Sequence, residues 1–257
     1  MTPPALDRFS LAGKRALVTG ASRGLGQAVA VGLAEAGADV VCASTRRAGT
    51  DETVAYVHAV GREAWQVEAD LSDREAVLAM ADEAERLAGP IDILVNNAGT
   101  IRRHPAAEHP LEEWDLVLRT NLDSVFLLSQ RLGRKMVERG AGKIVNVASL
   151  LSFQGGITVP AYTASKHAVA GLTRALANEW ARHNVQVNAV APGYMRTDNT
   201  QALREDPVRS EQILARIPAG RWGEAEDLAG AVVFLASPAS DYVNGHVLVV
   251  DGGWMAR

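Results

Sequence analysis

At 257 residues, with 47% hydrophobic and 22% charged positions, the chain can bury a substantial core and is too apolar to stay disordered. A net charge of -4 and a pI near 5.9 leave no clustered basic footprint for a phosphate backbone, so no nucleic-acid partner is expected. Cys42 is the single cysteine, the opening segment lacks a signal peptide's basic-then-apolar order, and the longest apolar runs are about half the ~18 residues of a membrane span, so a soluble, cytoplasmic protein is expected.

Short apolar runs at 15–19, 39–43, 64–69 and 91–96 read as strands, and further runs follow at 143–148, 185–191 and 247–250. Helical periodicity fills the intervals at 27–36, 51–60, 73–87, 111–137, 161–183 and 227–236. Nearly continuous apolar strands that alternate with helices predict βαβ units and a parallel sheet covered on both faces. No Pro/Ser-rich linker divides the chain, so residues 1–257 are expected to form one α/β domain, doubly wound in the Rossmann manner. Residues 192–218 break the rhythm with a turn, polar residues and a short helix, and are expected to act as a substrate lid.

Between the first strand and first helix stands Thr19-Gly20-Ala21-Ser22-Arg23-Gly24-Leu25-Gly26. Glycines at a strand-to-helix turn allow close backbone approach, and the exposed N–H groups and dipole of the helix end favour a pyrophosphate. The spacing is GxxxGxG, and a tight turn is the plain alternative. Tyr162 and Lys166 lie four apart on one helical face, where an ammonium would favour the phenolate and suit the phenol to proton exchange with a substrate hydroxyl.

Ser149 and the Asn96-Asn97-Ala98-Gly99 turn each follow a strand, at the sheet end where ligands collect; an ordinary strand-end serine and a bland turn are the competing readings. Asn121 is a mediocre helix former inside a helix, a position usually explained by solvent exposure. Asp70 could accept a bond from an adenine amino group or serve as local scaffolding, since Ser72 and Glu75 have capping-box spacing. The six histidines show no paired-ligand spacing, so no metal is expected.

Taken together, TGASRGLG, NNAG, Asn121, Ser149, Tyr162-x-x-x-Lys166 and Pro192-Gly193 resemble the short-chain dehydrogenase/reductase family over about 11–253. The resemblance implies a seven-stranded parallel sheet, a homotetramer and an NAD(P)-dependent exchange of secondary alcohol and ketone. It also implies catalytic Asn121, Ser149, Tyr162 and Lys166: Tyr162 as acid/base, Lys166 lowering its pKa, Ser149 on the substrate oxygen and Asn121 placing a relay water. Cofactor contacts are implied at Gly20, Ser22, Arg23, Gly24, Leu25 and Gly26, with Asp70, Leu71, Asn97, Ala98 and Gly99 further along and Pro192, Gly193, Met195 and Thr197 toward the nicotinamide.

Within that family, NNAGTIRR, LLSFQGG and APGYMRTDNT are similar to the gluconate-type 5-dehydrogenases, which implies a sugar-acid substrate. Arg102 or Arg103 would engage its carboxylate, and Gln154, Tyr194 and Asn199 its hydroxyls. Relatives selective for NAD usually carry a carboxylate near Ser44; here Arg46, helped by Arg23, favours NADP, with NAD possible. Competing readings are a reductase of another small ketone, polyol or 3-oxoacyl substrate, and a catalytically silent nucleotide-binding regulator.

Overall fold

The structure is a computed structural model in which residues 4–257 are described, except for the side chain of Asn199. Seven strands form the sheet: β1 (Arg15–Thr19), β2 (Asp39–Ser44), β3 (Ala64–Glu68), β4 (Ile93–Asn96), β5 (Gly142–Val147), β6 (Val185–Pro192) and β7 (Val247–Val250). All are parallel, in the order β3-β2-β1-β4-β5-β6-β7. The order reverses between β1 and β4, which opens a crevice at the carboxyl ends of those two strands.

The connecting helices are α1 (Gly24–Glu35), α2 (Asp51–Ala59), α3 (Arg74–Ala88), α4 (Leu111–Leu118), α5 (Ser124–Arg139), α6 (Pro160–Trp180), α7 (Gln201–Glu205), α8 (Pro207–Leu214) and α9 (Glu226–Ala236). Alternate strand residues feed opposite faces. Val18, Val95 and Val145 join Val29, Leu33 and Val57 of α1 and α2 and Leu228 and Val232 of α9 on one side. Leu17, Leu94 and Ile144 join Val77, Met80, Leu128, Leu132 and Leu176 of α3, α5 and α6 on the other. Both faces are covered, so the strands are apolar over most of their length.

Two expectations need correction. The single helix expected over 111–137 is α4 and α5 joined by one π turn, Arg119–Asp123, in which the Ser124 amide reaches back five residues to the Arg119 carbonyl. Apolar periodicity survives one inserted residue, so it did not reveal the break. The Ser72–Glu75 capping box is also absent: Asp73 is the N-cap of α3, accepting from the Glu75 and Ala76 amides, while the Ser72 hydroxyl donates to Asp70.

Residues 192–218 contain a 3-10 turn at Asp198–Thr200 and then α7 and α8. Asp206 caps α8 at Val208 N and Arg209 N, and Pro207 supplies the fixed φ suited to a first helical position. Ile213 and Ile217 anchor this excursion by packing with Leu150, Trp222 and Trp254.

At the sheet centre Asn96 and Asn146 face each other across β4 and β5. Asn96 Nδ2 donates to Asn146 Oδ1 at 2.8 Å, and Asn146 Nδ2 donates to Thr173 Oγ1 of α6 at 2.9 Å. Among the described residues no helix is long and apolar enough to cross a membrane, and no three His, Cys, Asp or Glu side chains are grouped to hold a metal ion.

Candidate active site

A cleft of about 520 Å³ occupies the crevice between β1 and β4. Its floor is the turn from β1 into α1. Gly20 and Gly24 take left-handed φ values of 66° and 55°, which an L side chain adopts only with strain. A Cβ on Gly26 would lie 2.0 Å from the Gly20 carbonyl oxygen and 2.5 Å from Asn97 Nδ2. Glycine is therefore required for the turn to close on itself. Helix α1 has no side-chain cap at its N-terminus, so its first N–H groups are left to serve an anion. Arg23 at that end pairs with Asp198 at 2.6 Å, across from the segment after β6.

Asn97 holds the turn from the other side. Its amide donates to the carbonyls of Thr19 and Gly20 at 2.8 and 3.2 Å, and its backbone N–H donates to Thr19 Oγ1. Asn97 also lines the cleft, with its side-chain amide committed to shaping the loop. Asp70 and Leu71 line the cleft. The Asp70 carboxyl accepts from the Ser72 amide and hydroxyl, both on Oδ1, which holds it below the ordinary carboxylate range. Ser22, Leu25, Ser44, Ala98, Gly99, Pro192 and Thr197 line the same cleft.

At the far end of the cleft stand Tyr162 and Lys166, on the first turns of α6. Burial pushes the Tyr162 pKa up, against smaller downward pulls from the Ser149 side chain and from the positive charge of Arg103; Ser149 Oγ accepts from the Leu151 amide at 3.1 Å. Lys166 is buried, donates to the Val147 carbonyl at 2.6 Å, and is pushed down to about 8 by loss of water. Its ammonium lies 5.6 Å from the Tyr162 ring centroid. Desolvation moves both groups toward their neutral forms, so the phenol stands above its ordinary range in this geometry.

Asn121 is fully buried, which overturns the solvent-facing reading. It sits in the π turn, and its amide pairs with the backbone of Thr100: Oδ1 accepts from Thr100 N at 2.8 Å and Nδ2 donates to Thr100 O at 2.9 Å. Nδ2 also approaches Ser165 Oγ at 3.2 Å, and Ser165 Oγ donates to the Tyr162 carbonyl at 2.7 Å. The strand-end turn at 96–99 and the first turn of α6 are thereby tied through one amide. A Cβ on Gly99 would sit 3.4 Å from Asn121 Oδ1 and 3.8 Å from Lys166 Nζ, so this corner is closely packed.

Other expected residues fall elsewhere. Arg46 is exposed beyond the end of β2. Gly193 packs on Asp251, where a Cβ would come within 2.7 Å of its backbone. Met195 is buried and bridges to Gly223. The Tyr194 ring meets Trp222 edge-on and Trp254 at a tilt, with centroids 5.6 and 4.6 Å away, so its ring packs within the excursion after β6. An aromatic beside a cleft suits packing as well as binding, and the sequence alone does not separate the two. The side chain of Asn199 lies outside the described residues.

Arg102 lines the cleft and Arg103 is exposed beside it, within electrostatic reach of Tyr162. Gln154 is half-buried in the loop after Ser149. Sequence reasoning passed over Thr19, Ser165 and Ser152, whose hydroxyls bond buried backbone groups here; Ser152 Oγ holds the Lys166 carbonyl at 2.7 Å. Small hydroxyl residues carry no periodic signal, so only position beside a motif, as with Ser165 between Tyr162 and Lys166, marks them.

A loop with an uncapped helix end, a polar far wall at Asp70 and the Tyr162–Lys166 pair at the opposite end fit a dinucleotide laid across the switch point. A family model described as enoyl-(acyl carrier protein) reductase matches residues 20–255. The chain is 56% identical to the 2-dehydro-3-deoxy-D-gluconate 5-dehydrogenase of Dickeya dadantii over 98% of this chain and 99% of the relative. It is 45% identical to the 5-keto-D-gluconate 5-reductase of Escherichia coli K12, over 97% of this chain and 98% of the other. The crystal structure of a gluconate 5-dehydrogenase from Burkholderia cenocepacia in complex with NADP and tartrate superposes with a TM-score of 0.95 at 43% identity, covering 99% of this chain and 100% of that one. On its motifs, its sheet order and these matches, the chain belongs to the short-chain dehydrogenase/reductase family.

Proposed function

We propose that this protein interconverts a secondary alcohol and a ketone at C5 of a gluconate-type acid, with 2-dehydro-3-deoxy-D-gluconate as first candidate and NADP as preferred cofactor. The observation that carries the chemistry is the placing of Tyr162 and Lys166 together at one end of a cleft whose other end is built for a nucleotide. Identity of 56% over nearly the whole chain supports the sugar-acid assignment.

The glycine turn and the amides opening α1 would hold the pyrophosphate, Asp70 and Leu71 the adenine side, and Lys166 and Thr197 the nicotinamide side. When bound, the nicotinamide supplies the hydride acceptor or donor. In oxidation, Tyr162 takes the proton leaving the substrate hydroxyl while Ser149 holds the same oxygen; in reduction, Tyr162 returns the proton to the ketone oxygen. Lys166 places a positive charge beside the phenolate as it forms. Asn121 fixes the turn carrying Thr100, and Arg102 and Arg103 meet the substrate carboxylate while Gln154 meets a hydroxyl.

Preference for NADP is supported at the end of β2. Ser44, not a carboxylate, lines the cleft there, and Glu68, its partner in the sheet register, is occupied by the Arg47 amide at 2.8 Å. Arg46 and Arg23 supply positive charge for a 2′-phosphate. A homotetramer in the cytoplasm, closed over substrate by residues 192–218, completes this reading.

The test is a panel of gluconate, 2-dehydro-3-deoxy-D-gluconate, 5-keto-D-gluconate, uncharged polyols and a 3-oxoacyl thioester, followed by nicotinamide absorbance with each cofactor. The reading requires the highest kcat/KM on a sugar acid, with selective loss of that activity in Arg102→Ala or Arg103→Ala. A maximum on the thioester, or equal loss on acids and polyols, would overturn it.

A further inference from the structure

Arg102 is held in an unusual way. Nη1 donates to Thr100 Oγ1 at 2.7 Å and to the Ile101 carbonyl at 3.0 Å, which uses both of its hydrogens. The Nε side faces Glu113 of α4, but at 3.8 Å, too long for a hydrogen bond. Nη2 has no partner among the described residues. The guanidinium is thus pinned on one edge and leaves its Nε/Nη2 edge, a two-donor fork matched to a carboxylate, opposed only by a distant ion pair.

The distance to Glu113 has a cause. The other Glu113 oxygen, Oε2, is bonded to His104 Nε2 at 2.6 Å. His104 is itself fixed: its backbone N–H donates to the Thr158 carbonyl at 2.9 Å, and its ring meets the His109 ring edge-on at 5.4 Å. Thr158 presents that carbonyl from a left-handed backbone with φ 62°, an uncommon state for a β-branched residue. Arg102, His104 and Glu113 are each a little over one-third exposed, so the groups can exchange partners.

We propose that His104 is a specificity-determining positioning residue: by gripping Glu113 it stops this carboxylate from closing on Arg102 and so keeps the Nε/Nη2 edge for the carboxylate of the substrate. Without His104, Glu113 becomes an internal competitor for that edge. The inference rests on the reading of Arg102 as the carboxylate ligand, and it adds two residues that touch neither substrate nor cofactor.

The experiment is a kinetic cycle of wild type, His104→Ala, Glu113→Gln and the double variant, on a sugar acid and an uncharged polyol, with Arg102→Ala alongside. His104→Ala should raise KM for the sugar acid by roughly three- to fivefold, the scale of a partly exposed ion pair, with kcat and polyol kinetics unchanged. Adding Glu113→Gln should restore KM, because a neutral amide competes poorly for a guanidinium; a merely structural role for His104 would not be rescued by a second substitution. If Arg102→Ala affects acid and polyol alike, the carboxylate reading itself fails. If Arg102→Ala is selective but His104→Ala leaves KM unchanged, or its effect persists in the double variant, the role of His104 alone is overturned.

Discussion

Lys166 carries the most testable energetics. Its ammonium is buried with one acceptor, the Val147 carbonyl, and its pKa falls from 10.5 to about 8. That difference corresponds to about 3 kcal/mol by which the native state disfavours the charged form. Below pH 8 both folded and unfolded chains hold the proton, so the penalty is present in full. Between pH 8 and 10.5 the unfolded chain binds more protons than the native one, so this group makes stability rise with pH. From pH 7.5 to 9.5 the gain is about 2 kcal/mol. In Lys166→Met the Val147 carbonyl loses its donor, an offset of ~1–3 kcal/mol that does not depend on pH. Urea unfolding without cofactor, at equal protein concentration and at both pH values, should therefore show the wild type gaining on the variant by about 2 kcal/mol as pH rises. Parallel pH dependence in the two proteins would refute the buried-ammonium argument.

Tyr162→Phe should lower kcat by at least ~100-fold while cofactor Kd, read by fluorescence quenching, stays within about twofold, because the hydroxyl serves proton transfer. Arg103→Gln removes a positive charge that draws the Tyr162 pKa down; the rising alkaline limb of the oxidation rate should then shift to higher pH, and an unmoved limb would exclude that coupling. Gly26→Ala forces a Cβ within 2.0 Å of the Gly20 carbonyl oxygen, so a loss of roughly 1–3 kcal/mol is expected as a lower Tm without ligand, together with weaker cofactor binding. Arg46→Ala should reduce NADP affinity relative to NAD in titrations of each, and an unchanged ratio would remove Arg46 from the phosphate site.

What the sequence made legible follows from how each signal arises. Apolar runs such as 15–19 and 185–191 are visible because burial on both faces makes a parallel strand mostly apolar, and β1 and β6 occupy them nearly end to end. Tyr162 and Lys166 are visible because helical spacing alone puts them on one face. The role of Asn121 was hidden: its partners Thr100 and Ser165 are 21 and 44 residues away, and the π turn that aims it leaves no periodic trace. The direction of the Tyr162 shift was hidden too, since spacing says nothing of the loss of water that dominates it. Tyr194 shows the converse, a residue of suitable type whose environment is set by Trp222 and Trp254 from distant segments.

The amide rung joining Asn96 to Asn146 has a consequence for how the chain reaches its native state. Asn96 leads directly into the turn that clamps the glycine loop, and β5, which carries Asn146, leads by Ala148 into Ser149. A slip of one residue between β4 and β5 would leave these amides without each other in the dry centre of the sheet, at a cost of ~1–3 kcal/mol for each unsatisfied group. Purely apolar strands would mark the same slip mainly through packing. The rung therefore penalises the misaligned chain: strand alignment is fixed at the sheet centre, and the two walls that meet at the cleft share one register.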